Sequence, residues 1–177
     1  MTFIKYAQSL ATTARDRRLA GDHHHGANSE FPLVGYCFDN AYVSHHVFTA
    51  AGMESHVIAG TTERVADDLI EAGISPRNCE SVSDLAGHVH YWLRVGSGDN
   101  TAVVDIASDS FETLGVCLVE PTLPGDYIAL PDSQREGTET LAMVEKEGRR
   151  CRFCGDHRYT HGGCPECHQT VSSDLNQ

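Results

Sequence analysis

Residues 88 to 106 constrain this chain most, because they read as one β-hairpin with chemistry gathered on a single face. His88, His90, Trp92 and Arg94 alternate with Val89, Tyr91, Leu93 and Val95. Successive side chains of a strand point to opposite faces, so the apolar set is expected to face the core. Gly96-Ser97-Gly98-Asp99 is turn chemistry, and residues 100 to 106 read as the return strand. With a four-residue loop over 96–99, Val95 pairs with Asn100, Trp92 opposes Val103 and His90 opposes Asp105. Directly opposed residues share a face with Cβ atoms about 5 Å apart, close enough for a carboxylate to bond an imidazole and hold its tautomer. His88 would then face Ala107, with no acid in register. A five-residue loop would shift the pairing by one and turn Asp105 onto the core face.

A hairpin needs cover, and the flanking sequence supplies helices. Phe3, Ile4, Ala7, Leu10, Ala11 and Ala14 recur at helical spacing over 3–20, with Arg15, Arg17 and Arg18 near the end and Gly21 as the stop. Residues 37–51 read as a second helix stopped by Gly52. Ser55 to Gly60 reads as a central strand. Thr62 to Glu71 reads as a helix with Thr62 as N-cap, and Ser75 to Ala86 as a loop or short turn. Asp126 to Leu130 is expected to be an edge strand. Residues 134–148 are expected to be a linker with a short helix near 140–147. His23, His24 and His25 fall in a polar loop over 21–31, and His45 and His46 read as packing or surface histidines. Cys79 and Cys117 have no partner motif and read as small structural hydrophobes.

Cys37 opens the second helix, where the dipole and a nearby imidazolium favour a thiolate. Its own backbone N–H is placed to stabilise an oxyanion, with Tyr36, Gln8 and Asn28 as candidates for a second donor. A thiolate that attacks a carbonyl, an imidazole that shuttles the proton and a carboxylate that orients the imidazole make a catalytic triad. Cys37, His90 and Asp105 are the residues for it; His88 and Asp109 are the weaker alternatives.

The order Cys, His, Asp resembles the transglutaminase-like branch of the papain-like fold. So does the local text: Gly35-Tyr36-Cys37, a helix ending in Ala51-Gly52, a strand ending in Ala59-Gly60, His90-Tyr91-Trp92, and Asp105 at a strand end. The resemblance covers residues 30 to 110. It implies an α+β fold with N-terminal helices packed on an antiparallel sheet. It also implies acyl transfer through a thioester, by peptide or amide hydrolysis, deamidation or transfer to an amine, with Trp92 walling the site. The same fold without turnover would be a silent adaptor that recruits a protein.

Cys151-Arg-Phe-Cys154-Gly155 and Cys164-Pro165-Glu-Cys167-His168 flank a nine-residue insert. Each Cys-x-x-Cys lets two thiolates reach one ion, and two such knuckles complete a tetrahedral zinc site with no open position. Residues 149–170 therefore resemble a zinc ribbon holding one structural zinc through Cys151, Cys154, Cys164 and Cys167, since so short a segment buries no stable core alone. The expected organisation is a cysteine-enzyme domain over 1–133, a linker over 134–148, the ribbon, and a disordered tail over 171–177.

The net charge of −12 comes from 25 acids against 13 bases, of which Lys5 and Lys146 are the only lysines. An acidic, lysine-poor surface that stays hydrated when salt screens charge resembles that of a salt-adapted protein. It argues against general affinity for nucleic acid. Arg149, Arg150, Arg152 and Arg158 make the ribbon a local basic patch, suited to a protein partner and, more weakly, to nucleic acid. Thiolate metal ligands suit a reducing compartment, and no apolar run is long enough for a leader or a membrane span, so a cytoplasmic location is expected.

Overall fold

The structure, a computed structural model, describes residues 2–20, 37–107, 117–148 and 150–155. It is an α+β arrangement. Helices α1 (Phe3–Ala20) and α2 (Cys37–Ala50) precede strand β1 (Ser55–Thr62) and the one-turn helix α3 (Asp67–Glu71). Strands β2 (His90–Ser97), β3 (Asn100–Asp105), β4 (Leu118–Glu120) and β5 (Tyr127–Ala129) follow, and helix α4 (Ser133–Glu147) comes last. The five strands form one antiparallel sheet in the order β4-β3-β2-β1-β5. Among the described residues no helix is long and apolar enough to cross a membrane.

One face of the sheet carries the main core. Val57, Leu93, Val95, Ala102, Val104 and Val119 pack there against Ala7, Ala11, Ala14, Ala41, Val43, Val47 and Phe48 of α1 and α2. The alanine stripe of α1 has little side chain, so α1 and α2 approach closely. Arg18 continues that stripe and is buried with it. Leu93 and Val95 are fully buried, as the alternation of the hairpin required.

The hairpin turns earlier than expected. Ser97 pairs with Asn100 and Gly96 with Thr101, so Gly98 and Asp99 alone form the loop. Gly98 has φ +57, the backbone a glycine-first two-residue turn demands. The register is thus displaced by two residues from the four-residue loop, and Arg94 pairs with Val103. Continued one step, the ladder sets Asp105 level with Trp92, diagonal to His90. An even shift leaves every side chain on its own face. Asp105 and His90 therefore still share one.

Three other boundaries move. Thr62, read as the start of a helix, joins Thr61 in extending β1 because β5 offers them partners: Thr61 with Ile128 and Thr62 with Tyr127. Thr62 Oγ1 accepts from the Val65 amide at 3.1 Å, capping a turn ahead of the shorter α3. Strand β4, which was not foreseen, adds to β3 through Leu118 and Glu120. The stretch expected to be a linker with a short helix is a 15-residue helix packed on β1. Its acidic and polar text hides a narrow edge of buried Gly137 and Val144 with partly buried Leu141.

Gly137 lets α4 press backbone to backbone on β1, since a Cβ there would meet the Val57 carbonyl oxygen at 2.0 Å. Gly137→Ala should cost about 2–3 kcal/mol through forced separation of helix and strand. Gly125→Ala, where a Cβ meets open space, should stay within about 0.5 kcal/mol of the parent. Urea denaturation midpoints of the two variants check this.

Candidate active site

The face of the sheet away from α1 and α2 holds a second, smaller cluster of Ile58, Trp92, Val103, Tyr127 and Leu118. The ladders place these in one row with the polar residues. Gly60 pairs with His90, Ile58 with Trp92, Thr62 with Tyr127 and Asp105 with Leu118. At the heart of the row His90 Nε2 meets Asp105 Oδ2 at 2.6 Å. Both side chains are almost wholly buried, His90 at 5% and Asp105 at 3% exposure.

A buried carboxylate must be paired and hydrogen-bonded. Asp105 is both. Its second oxygen accepts from the Ala107 amide at 2.8 Å, and the Tyr127 hydroxyl donates to Oδ2 at 2.7 Å. Burial pushes the Asp105 carboxyl up, but the charge and hydrogen bond of His90, with Tyr127 and the Ala107 amide, outweigh it and hold it below its ordinary range. Burial likewise pushes His90 down, while the charge and hydrogen bond of Asp105, with Cys37, raise it to about 10. The pair is an imidazolium and a carboxylate. Burial and the Asp105 charge raise the Tyr127 phenol far above its ordinary value, so it stays protonated and donates.

Tyr127 was not foreseen. It lies on β5, and Asp105 on β3, with β1 and β2 between them. Three strand spacings span about 14 Å in a flat sheet. A 2.7 Å contact across that interval requires the sheet to curl, with the polar row on its concave side. No spacing along the chain announces such a contact. Aromatic rings fill the bend: Trp92 stacks on His90 with centroids 6.0 Å apart, and Tyr127 packs edge-on to Trp92 at 5.2 Å and to His90 at 5.8 Å. Gly60 makes room, because a Cβ there would lie 2.5 Å from the Trp92 ring. Trp92 thus walls the imidazole.

Cys37 is the first residue of α2, and its thiol donates to the Val89 carbonyl at 3.5 Å, beside the start of β2. The same thiol lies within hydrogen-bonding reach of His90. Because Nε2 of His90 is taken by Asp105, Nδ1 is the nitrogen left to face the sulfur. Cys37, His90 and Asp105 therefore meet in one chain of contacts. His88 does not join them: its Nδ1 bonds the Val65 carbonyl at 2.9 Å. Helix α4 reaches the same place unannounced. Burial raises the Tyr91 phenol, with Cys37 and Glu136 adding to the effect, against a smaller lowering by Thr140 of α4.

Gln8 lies exposed on α1. Tyr36, Asn28, Asp109, His23, His24, His25 and the 171–177 tail lie outside the described residues. So do Cys164 and Cys167. The first knuckle is described: Cys151 and Cys154 are both buried, and the Gly155 amide closes their turn on the Cys151 carbonyl at 2.8 Å. Gly155 has φ +81, which glycine alone adopts freely. Two thiols on one tight turn suit half of a tetrahedral set. Among the described residues no group of three or more His, Cys, Asp or Glu side chains converges as a metal site. Cys79 is buried, with its thiol toward the Ser75 and Asp84 carbonyls, and Cys117 packs at the edge of the main core.

No protein-family model, curated protein or solved structure matches this chain. Function is therefore read from these side chains.

The ion pair sets a pH dependence of stability. Asp105 lies below its ordinary 3.8, so its contribution is present above 3.8 and is lost as pH falls through the folded value. His90 lies above its ordinary 6.5, so its contribution is complete below 6.5 and is lost as pH rises toward about 10. The melting-temperature gap between the parent and Asp105→Asn should be widest between about pH 4 and 6.5 and should narrow steadily toward pH 10. A gap that widens above pH 7 would contradict the pair.

Proposed function

We propose that this chain is a cysteine-dependent acyl-transfer enzyme of transglutaminase-like, papain-like fold, acting on a protein or peptide substrate. The observation that carries it is the buried His90–Asp105 pair with the start of α2 and its Cys37 thiol beside the imidazole. Each side chain comes from a different element. The nucleophile stands at a helix start, the acid–base group and the carboxylate on neighbouring strands.

The chemistry follows from the charges. The imidazolium faces the Cys37 sulfur, which as thiolate attacks the substrate carbonyl carbon and pushes its electron pair onto the oxygen. The oxyanion is met by the Cys37 backbone N–H at the start of α2. As the tetrahedral adduct collapses, His90 gives its proton to the leaving amine and the C–N bond breaks, leaving a thioester. Neutral His90 then takes a proton from water, hydroxide adds to the thioester, and the acid departs from sulfur. An amine in place of water would give transfer instead; hydrolysis is the simpler reading, since water needs no acceptor pocket. Asp105 keeps its charge throughout. It holds the ring by Nε2, while Tyr127 and the Ala107 amide hold Asp105.

The C-terminal cysteines are read as one structural zinc site of Cys151, Cys154, Cys164 and Cys167. The closed turn at Cys151–Gly155 supports it. Thiolates of both kinds require a reducing environment, which favours the cytoplasm.

At neutral pH an iodoacetamide probe should label Cys37 well ahead of Cys79 and Cys117, as read by peptide mass mapping. His90→Ala should slow both labelling and turnover of a peptide amide, the latter by about 10²–10⁴-fold, whereas His88→Ala should leave most of each. Labelling of Cys79 first, with Cys37 inert in the folded protein, would remove the enzyme reading. For the metal, Cys151→Ser and Cys164→Ser should each abolish the zinc that elemental analysis finds in the purified full chain. Unchanged zinc content would mean that the ligands are misassigned.

A further inference from the structure

The knuckle does not hang free. Its residues bind the first two turns of α2, the helix that Cys37 begins. The Arg150 guanidinium pairs with Asp39, two residues beyond the nucleophile, and lies over the Phe38 ring at 5.4 Å from its centroid. Phe38 in turn packs edge-on to Tyr91 at 5.1 Å. Arg18 bonds the Cys154 carbonyl with one nitrogen and Asn40 Oδ1 at 2.9 Å with another. Gly155 sits so close to α2 that a Cβ would lie 3.0 Å from Val43 and 3.2 Å from the Asp39 carbonyl oxygen. The Tyr42 hydroxyl meets Glu145 at 2.9 Å and the Arg150 carbonyl at 3.4 Å.

Asp39 presents a problem for the chemistry. A carboxylate in the first turn suits the helix dipole, yet two residues from Cys37 it opposes negative charge on sulfur. Asp39 and Arg150 are both mostly shielded from solvent, at 18% and 21% exposure, so the repulsion would be poorly screened without a partner. Arg150 supplies the compensating charge. It is held in turn by the segment it begins, through the Gly155 carbonyl at 3.5 Å.

We propose that Arg150 is a positioning residue for the Cys37 nucleophile: by neutralising Asp39 and pinning Phe38, it makes the cysteine knuckle a clamp on the start of the catalytic helix. This rests on the reading of Cys37 as nucleophile. The ribbon is then part of the active-site scaffold, and whatever disorders its first turn weakens the thiol.

The test uses the purified full chain and the second-order rate of Cys37 alkylation by iodoacetamide at pH 7, with circular dichroism to follow folding. Arg150→Ala should slow alkylation about 5–20-fold through the unpaired Asp39 charge. The double variant Arg150→Ala with Asp39→Asn should return to within about twofold of the parent, since removing the carboxylate removes the repulsion; a purely structural role of Arg150 predicts no such rescue. Arg150→Lys should stay within about threefold, because it keeps the charge. Arg152→Ala, which breaks a pair with Glu145 away from the helix start, should leave the rate unchanged. A parental rate in Arg150→Ala, or a double variant as slow as the single, overturns the proposal. Should Arg150→Ala fail to fold, Asp39→Asn carries the test, and alkylation slower than the parent overturns it. His90→Ala separates the two readings. If it too alkylates at the parental rate, the catalytic reading falls; if it is slow while Arg150→Ala is not, only the clamp falls.

Discussion

A carboxylate almost sealed from water is the condition that the rest of this structure answers. Left alone, buried Asp105 would take up a proton or unfold its surroundings. It is stabilised by an imidazolium from β2, a phenol from β5 and the backbone amide of Ala107 just beyond β3. Those donors come from three places in the chain, and bringing them to one carboxyl bends the sheet. The bend defines a concave side with the charges and a convex side for helices. The strand order follows the same logic, because β5 must reach back across β1 and β2 to deliver its hydroxyl.

The packing around the pair is that of a fixed site. Trp92 stacks on the imidazole at a 29° tilt and is itself held by Tyr127, Ile58 and Val103. Glycine appears where one layer must touch another with no side chain between, at Gly60 beneath the indole and at Gly137 of α4 against β1. A ring that cannot swing keeps one nitrogen on the acid and offers the other to sulfur. Such preorganisation suits the proposed thiolate and imidazolium chemistry, which needs little reorientation of the ring.

How far this was legible in the chain depends on the range of each interaction. The hairpin announced itself through alternation, and its polar face survived an error of two residues in the loop because the strand repeat is two. Cys37 at a helix start, and the helices and strands on either side of it, follow from local periodicity and glycine stops. The role of Tyr127 does not: its edge strand is expected over Asp126 to Leu130, but its importance lies in a contact with a residue 22 positions earlier. Helix α4 was obscured because its contact with β1 is made by a glycine, the residue that argues locally against a helix. The tight turn from Cys151 to Gly155 is suggested by its cysteine spacing, but its attachment to Phe38 and Asp39 is purely tertiary.

The spread of these parts along the chain has a consequence for how the protein is made. Synthesis runs from the N-terminus, so Cys37 emerges before the residues that surround it. Cys37 and His90 are present well before Tyr127, which steadies Asp105, and before Arg150, which balances Asp39. A nascent chain stopped short of these residues carries the thiol without the partners of Asp105 and Asp39. On the proposed reading of Cys37 as nucleophile, its reactivity is deferred until Tyr127 and Arg150 have both been made.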